Sequence, residues 1–202
     1  MIRAVIFDLD NTLVQSDLDF DRIRRDIGFV TGSILEYRDS HATPAQRDHI
    51  NAVLERHESA AAETCVLNDG AREVLEAIRR LGLKSALLTR NSARTVETVL
   101  ARHSLEFDMV LSRDCAPPKP SPEPVFMICE AFGVRPSEAL MVGDYKYDVE
   151  CGKNAGSPTA LLRTPIRPRF DADPDWEVDS LLELRDVILR LARPVTLPEG
   201  KA

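Results

Sequence analysis

Ala4-Val5-Ile6-Phe7-Asp8-Leu9-Asp10-Asn11-Thr12-Leu13 is the stretch on which the fold turns: an apolar run just long enough for a strand stops abruptly at two carboxylates. From Ala4 to Phe7 there is no apolar–polar alternation, which marks a strand buried on both faces, as in a parallel sheet covered by helices. Similar short runs follow at Ser85–Leu88, Met109–Leu111, Ala139–Val142 and Thr159–Leu162. Helical spacing lies between them: Val74, Leu75, Ile78 and Leu81 before Gly82; Val96, Val99 and Leu100; Val125, Ile128, Cys129 and Phe132 before Gly133. Strands alternating with helices predict an α/β fold with a doubly wound parallel sheet.

Residues 14–68 interrupt the alternation. They hold no convincing strand, but Phe20, Ile23, Ile27, Val30 and Ile34 recur at helical steps. A second helix is announced by Thr43-Pro44-Ala45-Gln46, a capping box with Pro at the first helical position, and carries Ile50, Val53, Leu54 and His57 on one face. The segment reads as a small all-helical insertion after the first strand. Beyond the fifth strand come a Pro/Arg-rich stretch from Thr164 to Pro174, an edge strand at Trp176–Val178, and a helix bearing Leu181, Leu184, Val187, Ile188 and Leu191. A loosely docked tail, 194–202, closes the chain.

At 202 residues the chain has room for one core and a modest insertion. Hydrophobic residues at 44% exclude a disordered chain. With 26 Lys and Arg against 33 Asp and Glu, nonspecific binding to nucleic acid or an anionic membrane is not expected. Aromatic residues at 5% give no stacking platform for single strands. Cys65, Cys115, Cys129 and Cys151 form no C-x-x-C pair, so reduced and mostly buried thiols are expected rather than a zinc site or a disulfide framework. No apolar stretch is long enough to span a membrane, and the N-terminal run is cut short at Asp8, which leads to the expectation of a cytoplasmic protein without an export signal.

In open α/β sheets ligands bind beyond the carboxyl ends of the strands, so the residues ending each run carry the functional information. They are polar: Asp8 and Asp10 after the first strand, Thr89-Arg90-Asn91 after the second, and Gly143-Asp144 with Asp148 after the fourth. Lys119 stands in Pro118-Lys119-Pro120-Ser121-Pro122, ahead of a helix. Asp8 and Asp10 are two apart and so face one crevice in an extended chain. Four converging carboxylates repel unless a cation intervenes. A hard, oxygen-loving ion such as Mg2+, which takes one or two carboxylates together with phosphate oxygens, satisfies them and points to phosphoryl chemistry.

Asp8-Leu9-Asp10-Asn11-Thr12-Leu13, Thr89, Lys119-Pro120, and Gly143-Asp144 with Asp148 resemble, in order, the four motifs of the haloacid dehalogenase-like hydrolase superfamily. The resemblance spans roughly residues 1–162, and the insertion falls where the phosphoglycolate phosphatase-like branch carries a helical cap. It implies a Rossmann-like core over 1–13 and 69–193 with a cap over 14–68. It also implies that Asp8 is a nucleophile forming an aspartyl-phosphate, and that Asp10 first protonates the leaving group and then activates water. Thr89 and Lys119 would bind the phosphoryl group. The implied magnesium set is Asp8, the Asp10 main-chain carbonyl and Asp144, supported by Asp148. The carboxylate at Asp10 favours phosphate over halide, because a halide leaves without a proton.

Arg90, Asn91 and Arg113 follow strand ends, where they could line the crevice and hold a second anionic group of the substrate; Asn91 is taken as a further phosphate ligand, while exposure to solvent is at least as good a reading for the two arginines. Solvation is also expected for Arg22, Arg24, Arg25 and Arg38, and His41, His49, His57 and His103 are assigned no role. Asn11 and Gln15-Ser16 depart from the Gly and Asp-Ser frequent in relatives, and the interval from Asp10 to Thr89 is short, which predicts a reduced cap. The expected activity is magnesium-dependent hydrolysis of a small phosphorylated metabolite by a monomer or homodimer. The alternatives are a sugar phosphomutase, disfavoured by the short cap, and a non-catalytic binding or regulatory protein, disfavoured because no motif residue is missing.

Overall fold

The structure, a computed structural model, describes residues 1–164 and 171–192. The rest of the Pro/Arg stretch and the tail expected at 194–202 lie outside the described residues. Six strands form the main sheet: β1 (Ala4–Phe7), β4 (Lys84–Leu88), β5 (Met109–Leu111), β6 (Ala139–Gly143), β7 (Thr159–Leu162) and β8 (Trp176–Val178). Their order is β5-β4-β1-β6-β7-β8, and all pairs are parallel. The expected doubly wound α/β fold is borne out, including the edge strand at Trp176–Val178.

Strand β1 lies in the middle because it is apolar on both faces. Val5 and Phe7 enter one core with α4 (Ala71–Arg80), α5 (Ala93–His103) and α8 (Leu181–Leu191). Ala4 and Ile6 enter the other with α6 (Glu123–Phe132) and α7 (Lys146–Ala155). Each large aliphatic side chain so buried contributes about 1.5–3 kcal/mol. Phe7 is in register with Leu87 on one side and Val142 on the other, so the chains following β1, β4 and β6 leave the sheet at one level. The first crossover goes to one side of β1 and a later one to the other, which opens a crevice at that level.

Between β2 (Val14–Gln15) and β3 (Val66–Leu67) stand α1 (Phe20–Ile27), α2 (Ile34–Ser40) and α3 (Pro44–Thr64), with an apolar cluster of their own around Ile23, Ile34, Ile50 and Leu54. The Thr43 capping box is formed, with Gln46 N–H donating to Thr43 Oγ1 and Thr43 N–H to Gln46 Oε1. Two details differ from the sequence reading. The periodic stretch from Phe20 to Ile34 is not one helix, because the backbone turns left-handed at Gly28 (φ 87°) and Gly32 (φ 84°), where a side chain would be strained. Phe20, at the start of α1, is exposed at the cavity, while its periodic partners stay buried. The insertion also has strands after all: Val14 pairs with Leu67 and Gln15 with Val66 in an antiparallel ribbon too short to show a period.

Among the described residues no helix is long and apolar enough to cross a membrane. All four cysteines are free; Cys65, Cys129 and Cys151 are buried as expected, whereas Cys115 is exposed on the loop after β5.

Candidate active site

Asp8 extends the ladder of β1 by one residue, its N–H donating to Val142 O at 2.9 Å. The chain then folds into a tight turn in which Leu13 and Val14 N–H groups donate to Leu9 O, and Leu9 is fully buried beneath it. Asn11 carries a left-handed φ of 57°, a conformation that Gly takes without strain and Asn tolerates better than most residues. The departure from Gly noted in the sequence therefore leaves the turn intact.

Lys119 reaches under this turn from the loop before α6. Its Nζ donates to Asp8 Oδ1 at 2.6 Å and to Leu88 O at 2.9 Å, and pairs with Asp148 Oδ1 at 2.6 Å, which uses all three ammonium donors. Burial alone would lower its pKa, but the Asp148 and Asp8 charges hold it above the ordinary lysine range. The charged form of the amine is thus favoured and, at 2% exposure, shielded from water. Asp148, in the first turn of α7, accepts the Tyr145 N–H at 3.0 Å with its other oxygen. Burial pushes its carboxyl up and Lys119 opposes this. Glycine is obligatory at 143, because a Cβ there would lie 2.1 Å from Asp148 Cγ.

Asp144 follows Gly143 and is 2% exposed. Asp8, Asp144 and Asp148 each offer an oxygen, all within 4.8 Å of one another. Three buried carboxylates against one lysine leave an excess of negative charge, and the donors are all hard oxygens, so this cluster fits a divalent cation of the Mg2+ type. The Asp10 carboxylate is not part of it. Its Oδ2 accepts from Asn91 Nδ2 at 2.6 Å. Burial, and then the neighbouring Asp8 charge, push the Asp10 carboxyl up to about 6. The two aspartates are therefore differentiated, Asp8 held by the Lys119 ammonium and Asp10 by the Asn91 amide.

Thr89 and Asn91 close the site from the end of β4. Thr89 is buried and its Oγ1 accepts the Asn91 N–H at 3.2 Å; the cap of α5 is Ser92, not Thr89. All seven residues singled out in the sequence, Asp8, Asp10, Thr89, Asn91, Lys119, Asp144 and Asp148, line one cavity of about 560 Å3. The helical insertion supplies its other wall, with Phe20, Arg24, Ile34, Leu35, Leu54 and Glu58.

Among these wall residues Leu35 and Glu58 escaped the sequence reading, and the arginines around the cavity are more engaged than expected. Arg24 faces the cavity while bonded to Asp21 at 2.6 Å and Gly32 O at 3.3 Å, so it is not simply solvated. Arg90 donates to Ser33 Oγ across the crevice at 3.1 Å and stacks 4.5 Å from the Tyr147 ring. Arg113 is buried and paired with Glu58, which overturns the exposed alternative for it. A signal for Glu58 existed: it follows Ile50 and Leu54 on the same stripe of α3, an acid where the helix is otherwise apolar. His57 bonds Asp26 at 2.8 Å on the far side of the insertion.

A parallel α/β sheet gathers acids and a lysine beyond the carboxyl ends of its central strands, where open sheets of this kind hold their ligands. Residues 17–162 match the family model described as haloacid dehalogenase-like hydrolase, and the chain belongs to that family. A putative pyrophosphatase PpaX of Clostridium perfringens is 30% identical over 216 residues, covering 95% of this chain and 99% of its own. A phosphoglycolate phosphatase of Vibrio vulnificus is 29% identical over 220 residues, with 93% and 96% coverage. The crystal structure of a predicted phosphoglycolate phosphatase from Haemophilus somnus superposes with a TM-score of 0.71 at 22% identity, covering 92% of this chain and 97% of that one, a likeness of fold.

Proposed function

We propose that this hydrolase is a Mg2+-dependent phosphatase that cleaves a small phosphomonoester through an aspartyl-phosphate on Asp8. The observation that carries the reading is the differentiation of the two aspartates: Asp8 bound to Lys119 within a carboxylate cluster, Asp10 set apart on Asn91 with its carboxyl raised to about 6. In the first step an Asp8 oxygen bonds to phosphorus as the bond from phosphorus to the ester oxygen breaks, and protonated Asp10 gives its proton to the departing oxygen. In the second, water attacks phosphorus, its proton passes to the Asp10 carboxylate, and the bond from Asp8 to phosphorus breaks to release inorganic phosphate. In this reading Thr89 Oγ1 and the Asn91 side-chain amide donate to phosphoryl oxygens, and Lys119 offsets the charge that accumulates beside Asp8. The cation would be held by Asp8, Asp144, Asp148 and, from the family resemblance, the Asp10 carbonyl; when bound it supplies fixed positive charge to the phosphoryl group.

The helical insertion is read as a cap over the site. A cavity of this volume lies in the usual range for small-molecule sites, and the names of the relatives, a putative pyrophosphatase and a phosphoglycolate phosphatase, support a small phosphorylated substrate. Four free thiols agree with a reducing, cytoplasmic setting. The test is hydrolysis of an aryl phosphate with Mg2+ titrated in. Asp8→Asn is expected to abolish metal-dependent turnover, and Asp144→Asn to weaken Mg2+ binding measured by calorimetry; retained turnover in Asp8→Asn excludes the covalent route.

A further inference from the structure

We propose that Glu58 and Arg113 are positioning residues that set Asp10 for proton transfer, acting through the loop between β4 and α5. Glu58 belongs to α3 in the insertion, yet its carboxylate bonds to the sheet domain. It accepts from Ser92 N–H at 3.2 Å, from Thr95 Oγ1 at 3.4 Å and from Arg113 Nη1. The same Arg113 nitrogen donates to Arg90 O at 3.2 Å, and the main-chain N–H of Arg113 donates to Asn91 O at 3.0 Å. Residues 90 and 91 are thus gripped by their carbonyls from one side. From the other, Asn91 presents Nδ2 to Asp10 Oδ2 at 2.6 Å. An unbroken series of bonds runs from the cap helix to the carboxyl that the mechanism uses as acid.

Both partners are 4% exposed at their side chains. A buried ion pair is a poor way to gain stability, since apolar replacements of similar volume often do as well or better. What it does supply is direction. The guanidinium of Arg113, held by Glu58, fixes the Arg90 carbonyl, the main-chain N–H of the same residue fixes the Asn91 carbonyl, and together they set the side-chain amide that orients Asp10. Because one end of the series lies on α3, the acid is set only while the insertion is seated against α5.

This proposal rests on the reading of Asp10 as proton donor, and the experiment separates the two. Single-turnover release of the leaving group is measured at saturation for phenyl phosphate, whose leaving oxygen needs a proton, and for dinitrophenyl phosphate, whose leaving group departs as a stable anion. In Glu58→Gln and Arg113→Met, release from phenyl phosphate is expected to fall roughly 10- to 100-fold, with dinitrophenyl phosphate slowed far less. Arg113→Lys keeps the charge opposite Glu58 but shortens the reach of the nitrogen that serves both Glu58 and Arg90 O, so it shifts the ratio of the two esters in the same direction by less; it also carries the test should the others not fold. Parallel slowing of both esters, or a wild-type ratio, overturns the proposal. Asp10→Asn is expected to shift the ratio most; if it leaves the ratio unchanged, the assignment of the acid is what fails.

Discussion

Lys119 touches both Asp8 and Asp148, so its removal should do more than delete a charge. In Lys119→Met the two carboxylates are left adjacent without a cation between them, and kcat for an aryl phosphate is expected to fall about 10²- to 10³-fold, the usual size for a lost electrostatic stabiliser. Gly143→Ala makes the opposite change, adding an atom where none fits: the new Cβ meets backbone-anchored Asp148 at 2.1 Å and must displace it. It should cost about 1–3 kcal/mol in denaturant unfolding, typical of overpacking, and weaken Mg2+ binding in the same preparation. Glu58 governs a pH effect. Burial raises its carboxyl above the ordinary range despite Arg113, so the folded protein holds this proton more tightly than the unfolded chain. Its contribution to stability is therefore full below the unfolded value, about 4.3, and declines as pH rises toward the folded one. The melting temperature of the native protein should fall relative to that of Glu58→Gln as pH rises through that interval; a difference that moves the other way contradicts the shift.

Helix α3 shows how far local sequence carries an element. Thr43, Pro44 and Gln46 specify its start through bonds within four residues of one another, and the structure realises each of them. Thr43→Ala should cost about 1 kcal/mol, read from chemical denaturation, because it removes a cap whose donor is otherwise left to water. The break between α1 and α2 was not visible in the same way. Ile23, Ile27, Val30 and Ile34 all reach one apolar cluster whether the chain is a single helix or two, so periodicity does not register the turns at Gly28 and Gly32. The β2–β3 ribbon was hidden for another reason: two residues per strand show no alternation, and the pairing joins positions fifty residues apart.

Across the molecule, Mg2+ is expected to act as a stabiliser as well as a participant, because the carboxylates of Asp8, Asp144 and Asp148 meet only in the folded chain. A ligand that binds the native state alone adds about 2.7 kcal/mol at a hundredfold excess over Kd. The melting temperature should accordingly rise with Mg2+ in the native protein and respond far less in Asp144→Asn. The parallel sheet and the polar strand ends at Asp8, Thr89 and Asp144 were legible beforehand, since buried strands must be apolar throughout and a polar residue at their end stands out. Nothing local distinguished Arg113, buried on Glu58, from Arg79, exposed on α4; both are arginines near the end of an element. The sequence on its own determined the elements and the chemistry at the strand ends, because hydrophobic period, caps and terminators are short-range properties of the chain. Only the tertiary structure decided which charges lose their water, that Asp10 is held by Asn91 apart from the carboxylate cluster, and that the insertion reaches the site through Glu58. Desolvation and pairing depend on which distant segments come together, and that is settled by packing.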